Sequence, residues 1–201
     1  MILVLVDHDR GELDPLSLRA LTAARKLGQD IEAVVTGKDG AGVAGVVGEL
    51  LTTIFSNHSP SFKDQMAGHD NLAVAFGQAL QMTNILKDSP EDKARGVSWK
   101  PINVSQADLL KIAYEKLQDS LKYILLIPKQ EQGMRRFCFL AFGLAVMTLS
   151  KIANRKEFDH KDEVKLSRNA VMSFYSFTKW AVKSDVLMKA FFYLSSRSLT
   201  N

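Results

Sequence analysis

The chain has 201 residues, 46% of them hydrophobic and 24% charged, with a formal net charge of +4; these are ordinary proportions for a globular protein and name no function. So small a positive charge, with no Lys/Arg block and no basic stripe interleaved with aromatics, argues against nucleic acid as a partner. The one cysteine, Cys138, has no mate for a disulfide or a Cys-based zinc site, which points to a reduced, cytoplasmic setting.

Composition changes near Leu50. Residues 1–50 hold 7 of the 12 glycines and none of the 17 aromatic residues, and carry 5 Lys/Arg against 8 Asp/Glu; the remainder carries 21 against 14. An acidic, Gly-rich head therefore precedes a basic, aromatic-rich body. The opening MILVLVDHDR is too short in its apolar part, and too acidic in its flank, for a secretion signal. Within the head, ILVLV predicts a buried strand. Pro15 to Leu27 predicts a helix, with Asp14 as its cap and Gly28 as its stop, and IEAVVTG predicts a second strand. The order β-α-β implies a parallel pair joined by a crossover helix. The glycines at 37, 40, 42, 45 and 48 make neither a dinucleotide fingerprint nor a phosphate loop, so a structural turn is expected there.

In the body, Ser56 to Lys63 is the clearest loop. Leu72 through Leu86 and Leu109 through Ile124 give amphipathic helical patterns. Phe137 to Ile152 is apolar nearly all round and predicts the central helix of a bundle; further helices are expected over Leu166 to Val182 and Val186 to Ser195. The run FCFLAFGLAVMTL falls short of the roughly 20 residues that span a bilayer, which favours a buried helix and leaves peripheral contact with a membrane surface open.

Chemistry becomes legible in QALQMTNILKDSPEDKARGVSWKP. Gln81, Asn84, Asp88 and Asp92 are three, four and four residues apart, so a continuous helix places them along one stripe. Two acids one turn apart repel unless a cation or a base neutralises them, and oxygen-only donors suit Mg²⁺ completed by water and substrate phosphate. The alternative is a solvated acidic turn with Lys87, Lys93 and Arg95 as surface charges. Pro90 lacks the N–H that would bond to Leu86, so the helix is expected to kink or end near Ser89, carrying Asp92 off the stripe. His8, His58, His69 and His160 show no metal spacing, and Ser195 and Ser196 have no His and Asp beside them; none receives a role.

The wording LQMTNILKDSPED, followed by a basic stretch and Trp-x-Pro, resembles the second aspartate-rich motif of the squalene and phytoene synthases. IPKQEQGMRRFCFLAFGLAVMTLSKI is similar to that family's later central helix, and the resemblance runs from about Leu51 to the end. It implies a mainly α fold, a partial isoprenoid-synthase-type bundle behind the short β-α-β segment. The implied activity is Mg²⁺-dependent head-to-head condensation of two prenyl diphosphates, farnesyl or geranylgeranyl. Asp88 and Asp92 would be the catalytic metal-binding acids. Gln81 and Asn84 would support them, and Lys87 and Arg95 would contact the diphosphate.

Residues 1–50 resemble the start of the electron-transfer flavoprotein α subunit, whose flavin is held mainly by a C-terminal domain with no counterpart here, so no FAD is expected. Two departures weaken the enzyme reading. No D-x-x-x-D in suitable sequence precedes Asp88, so the family's first acidic motif is missing and activity is expected to be impaired. Val97 stands where many relatives have arginine, which counts against NADPH. The sequence thus leaves three readings: a truncated or fused prenyl synthase, a non-catalytic subunit whose exposed helix faces are covered by a protein partner, and a flavoprotein-like fragment.

Overall fold

The computed structural model describes residues 2–6, 8–9, 12–13, 31–35, 40–96, 104–155 and 158–199. The chain divides into two units, residues 1–43 and 44–201.

In the first unit, two apolar runs rich in β-branched residues form the strands expected of them. β1 (Ile2–Val6) lies parallel to β4 (Ile31–Val35), with Ile2 beside Ile31 and Val6 beside Val35. A parallel pair needs a long crossover, whereas a hairpin needs only a tight turn. The expected crossover helix, Pro15 to Leu27, lies outside the described residues. A two-residue strand β2 (His8–Asp9) also pairs antiparallel with β3 (Glu12–Leu13), a pairing the sequence pattern does not predict.

Seven α-helices make up the described part of the second unit and its entry. The first overturns the glycine-turn expectation: α1 spans Gly40–His58 and runs unbroken through the compositional change at residue 50. Gly45 and Gly48 serve packing. A Cβ on Gly48 would stand 1.9 Å from the carbonyl oxygen of Ala73 in a neighbouring helix, and one on Gly45 would stand 3.0 Å from Val74 Cγ1. Here close approach of two backbones outweighs the roughly 1 kcal/mol that each glycine costs a helix.

The predicted loop Ser56 to Lys63 is also mostly helical. Ser59 caps α2 (Pro60–Met66), its hydroxyl accepting from the Phe62 N–H, and Pro60 takes the first helical position, where its missing N–H costs nothing. Polar punctuation there marks the start of a helix, and Phe62 and Met66 turn into the core.

The amphipathic patterns then become α3 (Asp70–Ala94), α4 (Gln106–Leu126), α5 (Gln132–Ala153), α6 (Arg168–Ala181) and α7 (Asp185–Ser195). A reciprocal capping box between Ser105 and Asp108 starts α4. As the all-round apolarity of its sequence predicts, α5 is central and packs against α3, α4, α6 and α7. Cys138, Phe139, Phe142, Val146, Leu149 and Ile152 on it are all fully buried, each burial contributing about 1.5–3 kcal/mol for the large aliphatic and aromatic members. With 22 residues, α5 is longer than the apolar run suggested and is, among the described residues, the one helix long and apolar enough to cross a membrane; half of that stretch is buried inside the bundle.

Candidate diphosphate site

The site candidates sit on the second half of α3, the helix that packs most extensively against α4. The helix does not stop at Ser89. It continues through Pro90 to Ala94 and ends where Gly96, at φ 72°, turns the chain out. Contacts beyond the proline hold the last turn in place. The backbone N–H of Lys161, in a 3₁₀ turn at Lys161–Glu163, donates to Glu91 Oε1 at 3.1 Å, and Asp92 is buried. Tertiary packing thus offsets the one lost backbone hydrogen bond.

Because the helix is continuous, Gln81, Asn84, Asp88 and Asp92 share one helix at the expected spacing. Their surroundings grade along it. Asn84 is exposed, Gln81 and Asp88 are half-buried, and the Asp92 side chain is only 12% exposed. Both acids carry a base. Lys87 Nζ lies 3.6 Å from Asp88 Oδ2 and donates to Asn84 Oδ1 at 3.5 Å. Arg95 Nη2 donates to Asp92 Oδ1 at 2.6 Å, while its Nε reaches the Glu91 carbonyl at 3.4 Å. The repulsion between Asp88 and Asp92 is therefore offset by side chains of α3 and its cap.

Glu91 is the residue that reading the sequence passes over. It lies three positions after Asp88, and its Oε2 is buried with no hydrogen-bond partner among the described residues. The signal was the acid directly before Asp92, masked by the expectation that the helix had already ended. Among the described residues no group of three or more His, Cys, Asp or Glu is arranged to hold a metal. Asp162, brought close in fold by the turn against α3, pairs instead with Lys165 at 3.5 Å. Val97 and the Trp-x-Pro that follows it lie outside the described residues. As a donor set, carboxylates and amides offer oxygen alone, the chemistry Mg²⁺ selects, and one or two carboxylates suffice when phosphate and water fill the remaining positions.

The described body is thus a mainly helical bundle in which one helix carries a stripe of acids and amides beside two bases. The squalene/phytoene synthase family model matches residues 40–109, which contain α1, α2 and all of α3. Squalene synthase of Homo sapiens is 27% identical over 154 residues, covering 65% of this chain and 36% of the relative. Squalene synthase of Mus musculus is 28% identical over 138 residues, 57% of this chain and 32% of the relative. Squalene synthase ERG9 of Gibberella zeae is 27% identical over 135 residues, 57% of this chain and 29% of the relative. Residues 40–109 are thus similar to the squalene/phytoene synthases, and the chain spans about a third of the length of these relatives. The resemblance of residues 1–50 to a flavoprotein subunit rests on their sequence alone.

Proposed function

We propose that the chain binds a prenyl diphosphate at the C-terminal half of α3 and is a prenyltransferase of the squalene/phytoene synthase type, weakened by the lack of a first acidic motif. The observation that carries this reading is the continuous α3 stripe, on which Asp88 and Asp92 each stand beside a base. Lys87 and Arg95, whose side chains are 33% and 68% exposed, can offer their charges to diphosphate oxygens in place of the carboxylates. Asp88 and Asp92 would hold Mg²⁺, which when bound neutralises charge on the diphosphate. Stabilising the departing diphosphate would let the allylic carbon–oxygen bond break with its electron pair leaving on the diphosphate; the double bond of a second prenyl chain would attack the resulting cation, and the new cation would lose a proton to the departed diphosphate. The buried side chains of α5 would keep water from that cation.

The test is calorimetric titration of the full chain with a non-hydrolysable farnesyl diphosphate analogue, with and without Mg²⁺, beside Asp88→Ala. Binding that requires Mg²⁺ and is lost in the variant is the expected result. A folded protein that binds no analogue overturns it and turns attention to a second reading, a non-catalytic subunit. Val47 and Ile54 on α1, 40% and 48% exposed, favour that alternative by offering apolar surface to a partner. Co-purification of a stable complex separates the two.

A further inference from the structure

The segment between α5 and α6 is tied down along its length, and it bears on the helix that carries the diphosphate site. Phe158 packs against the core before its 3₁₀ turn and Val164 is fully buried after it. Polar contacts close the rest. Glu163 Oε1 accepts the backbone N–H groups of Asp159 at 3.0 Å and His160 at 3.1 Å, while Oε2 accepts from Arg155 Nη1 at 2.6 Å. Lys151, in the last turn of α5, donates Nζ to the Lys165 carbonyl at 2.6 Å.

This strap holds the part of α3 that is weakest by itself. Pro90 deprives the helix of a backbone hydrogen bond, and a helix end with few internal bonds opens readily. Beyond the proline, the Arg95 N–H reaches the Glu91 carbonyl and the Gly96 N–H reaches that of Lys93, each at 3.0 Å. From outside the helix, the Lys161 N–H donates to Glu91 Oε1 at 3.1 Å. Glu91 follows Asp88 by three residues and precedes Arg95 by four, so it adjoins both on the helix surface, and Asp92 is the next residue. Fixing Glu91 therefore fixes the turn that carries Asp92 and Arg95. Its other oxygen, Oε2, is buried with no hydrogen-bond partner among the described residues. An orphaned oxygen costs stability, so folding energy alone is a poor reason for a carboxylate at this position.

We propose that Glu91 is a positioning residue for the α3 site: gripped by the backbone of the Lys161 turn, it keeps Asp88 and Asp92 at the separation a Mg²⁺-bound diphosphate requires. The inference rests on the diphosphate reading and adds to it the strap between α5 and α6, which acts without touching the ligand. Carboxylates already held in place bind without first ordering the helix end.

The test removes one backbone donor. Lys161 is the first residue of the 3₁₀ turn, where proline fits, and His160 before it is extended at ψ 138°, as a residue preceding proline is. Lys161→Pro deletes the N–H, and Lys161→Ala keeps it while removing the side chain. Two measurements are made on the full chain: amide hydrogen exchange at Arg95 and Gly96 without ligand, and calorimetric affinity for a non-hydrolysable farnesyl diphosphate analogue in Mg²⁺. Lys161→Pro should speed exchange at both amides and weaken Mg²⁺-dependent binding about tenfold or more, whereas Lys161→Ala should do neither. Glu91→Ala should match Lys161→Pro, and Glu91→Gln, which retains an oxygen for the Lys161 N–H, should restore most of the affinity. A merely structural strap would lower the urea midpoint of Lys161→Pro and leave the affinity of the folded chain as it was, which overturns the proposal. So does unchanged exchange, an equal loss in Lys161→Ala, or a Glu91→Gln variant as weak as Glu91→Ala, which would make Glu91 a direct ligand. A native chain that binds no analogue sinks the diphosphate reading and this inference with it; native binding that Lys161→Pro leaves intact sinks this inference alone.

Discussion

Gly48 faces the backbone of Ala73 so closely that a methyl group there would stand 1.9 Å from the Ala73 carbonyl oxygen and 2.7 Å from its carbon. The obstacle is main chain, which cannot rotate aside, so α1 and α3 would have to separate along their contact. Gly48→Ala should therefore destabilise the protein by about 1–3 kcal/mol despite alanine's better helix propensity. At Gly45 the nearest atom is Val74 Cγ1, at 3.0 Å on a side chain that can shift, and Gly45→Ala should be close to neutral. Urea unfolding followed by circular dichroism compares them, and equal costs would sink the close-approach account.

That pair also shows what sequence periodicity could and could not reveal. Helices α3 to α7 were legible because their apolar residues recur every three or four positions, which is a local property. Helix α1 was hidden, because glycine disfavours helix locally and its benefit at Gly48 depends on a helix that begins 22 residues later. Likewise Ser59 and Pro60 carry the chemistry of a loop and of a helix start alike, and only the burial of Phe62 and Met66 decides between them. The α3 stripe could be read residue by residue, whereas the pairing of each acid with its base and the orphaned Glu91 oxygen depend on the fold.

Pro90 is a further case in which tertiary contacts override local preference. Pro90→Ala restores an N–H facing the Leu86 carbonyl in a helix that is already continuous, and should raise stability by about 1 kcal/mol or more. Thermal unfolding measures this directly. A loss of stability would mean that the proline shapes the turn on which the Glu91 to Lys161 hydrogen bond depends.

Arg95 separates a binding role from a structural one. Its side chain is 68% exposed, so its ion pair with Asp92 contributes at most about 1 kcal/mol to folding. If it transfers to diphosphate, a charge-assisted hydrogen bond is at stake, and Arg95→Gln should lower affinity for the prenyl diphosphate analogue about tenfold or more. Calorimetry and urea unfolding on the same preparation should show a large binding effect with a small stability effect. The reverse pattern would make Arg95 only the cap of α3.

Arg135 is buried at 1% exposure, donating Nη1 to the Ile127 carbonyl at 2.8 Å and Nη2 to Asp185 at the start of α7. Removing it by Arg135→Ala takes away the partner of a half-buried carboxylate and should cost about 3–5 kcal/mol. Burial pushes the Asp185 carboxyl up, but hydrogen bonds from Arg135 and Lys129 outweigh it and hold the group below its ordinary 3.8. A carboxyl depressed in the folded state contributes stability that is present above pH 3.8 and lost as pH falls through the lower folded value. Asp185→Asn should thus be less stable than the native chain at neutral pH, with the gap narrowing in acid below that point. A gap independent of pH would deny the ion pair any part in it.

Tyr123 and Thr52 allow the direction of a buried hydrogen bond to be tested. The Tyr123 ring is fully buried, stacked on Phe76, and burial pushes its hydroxyl far above the ordinary range, so it remains a neutral donor. Its oxygen lies 2.9 Å from Thr52 Oγ1, and Thr52 already spends its only proton on the Gly48 carbonyl, also at 2.9 Å. Tyr123 must then donate and Thr52 accept. Tyr123→Phe leaves Thr52 with its other hydrogen bond and should cost about 0.5–1.5 kcal/mol, whereas Thr52→Val strands the buried phenol and should cost about 1–3 kcal/mol. The double variant removes donor and acceptor together, so it should be more stable than the sum of the single losses implies. Urea unfolding of the three variants gives the coupling directly; strict additivity would mean that the two hydroxyls do not share a hydrogen bond in solution.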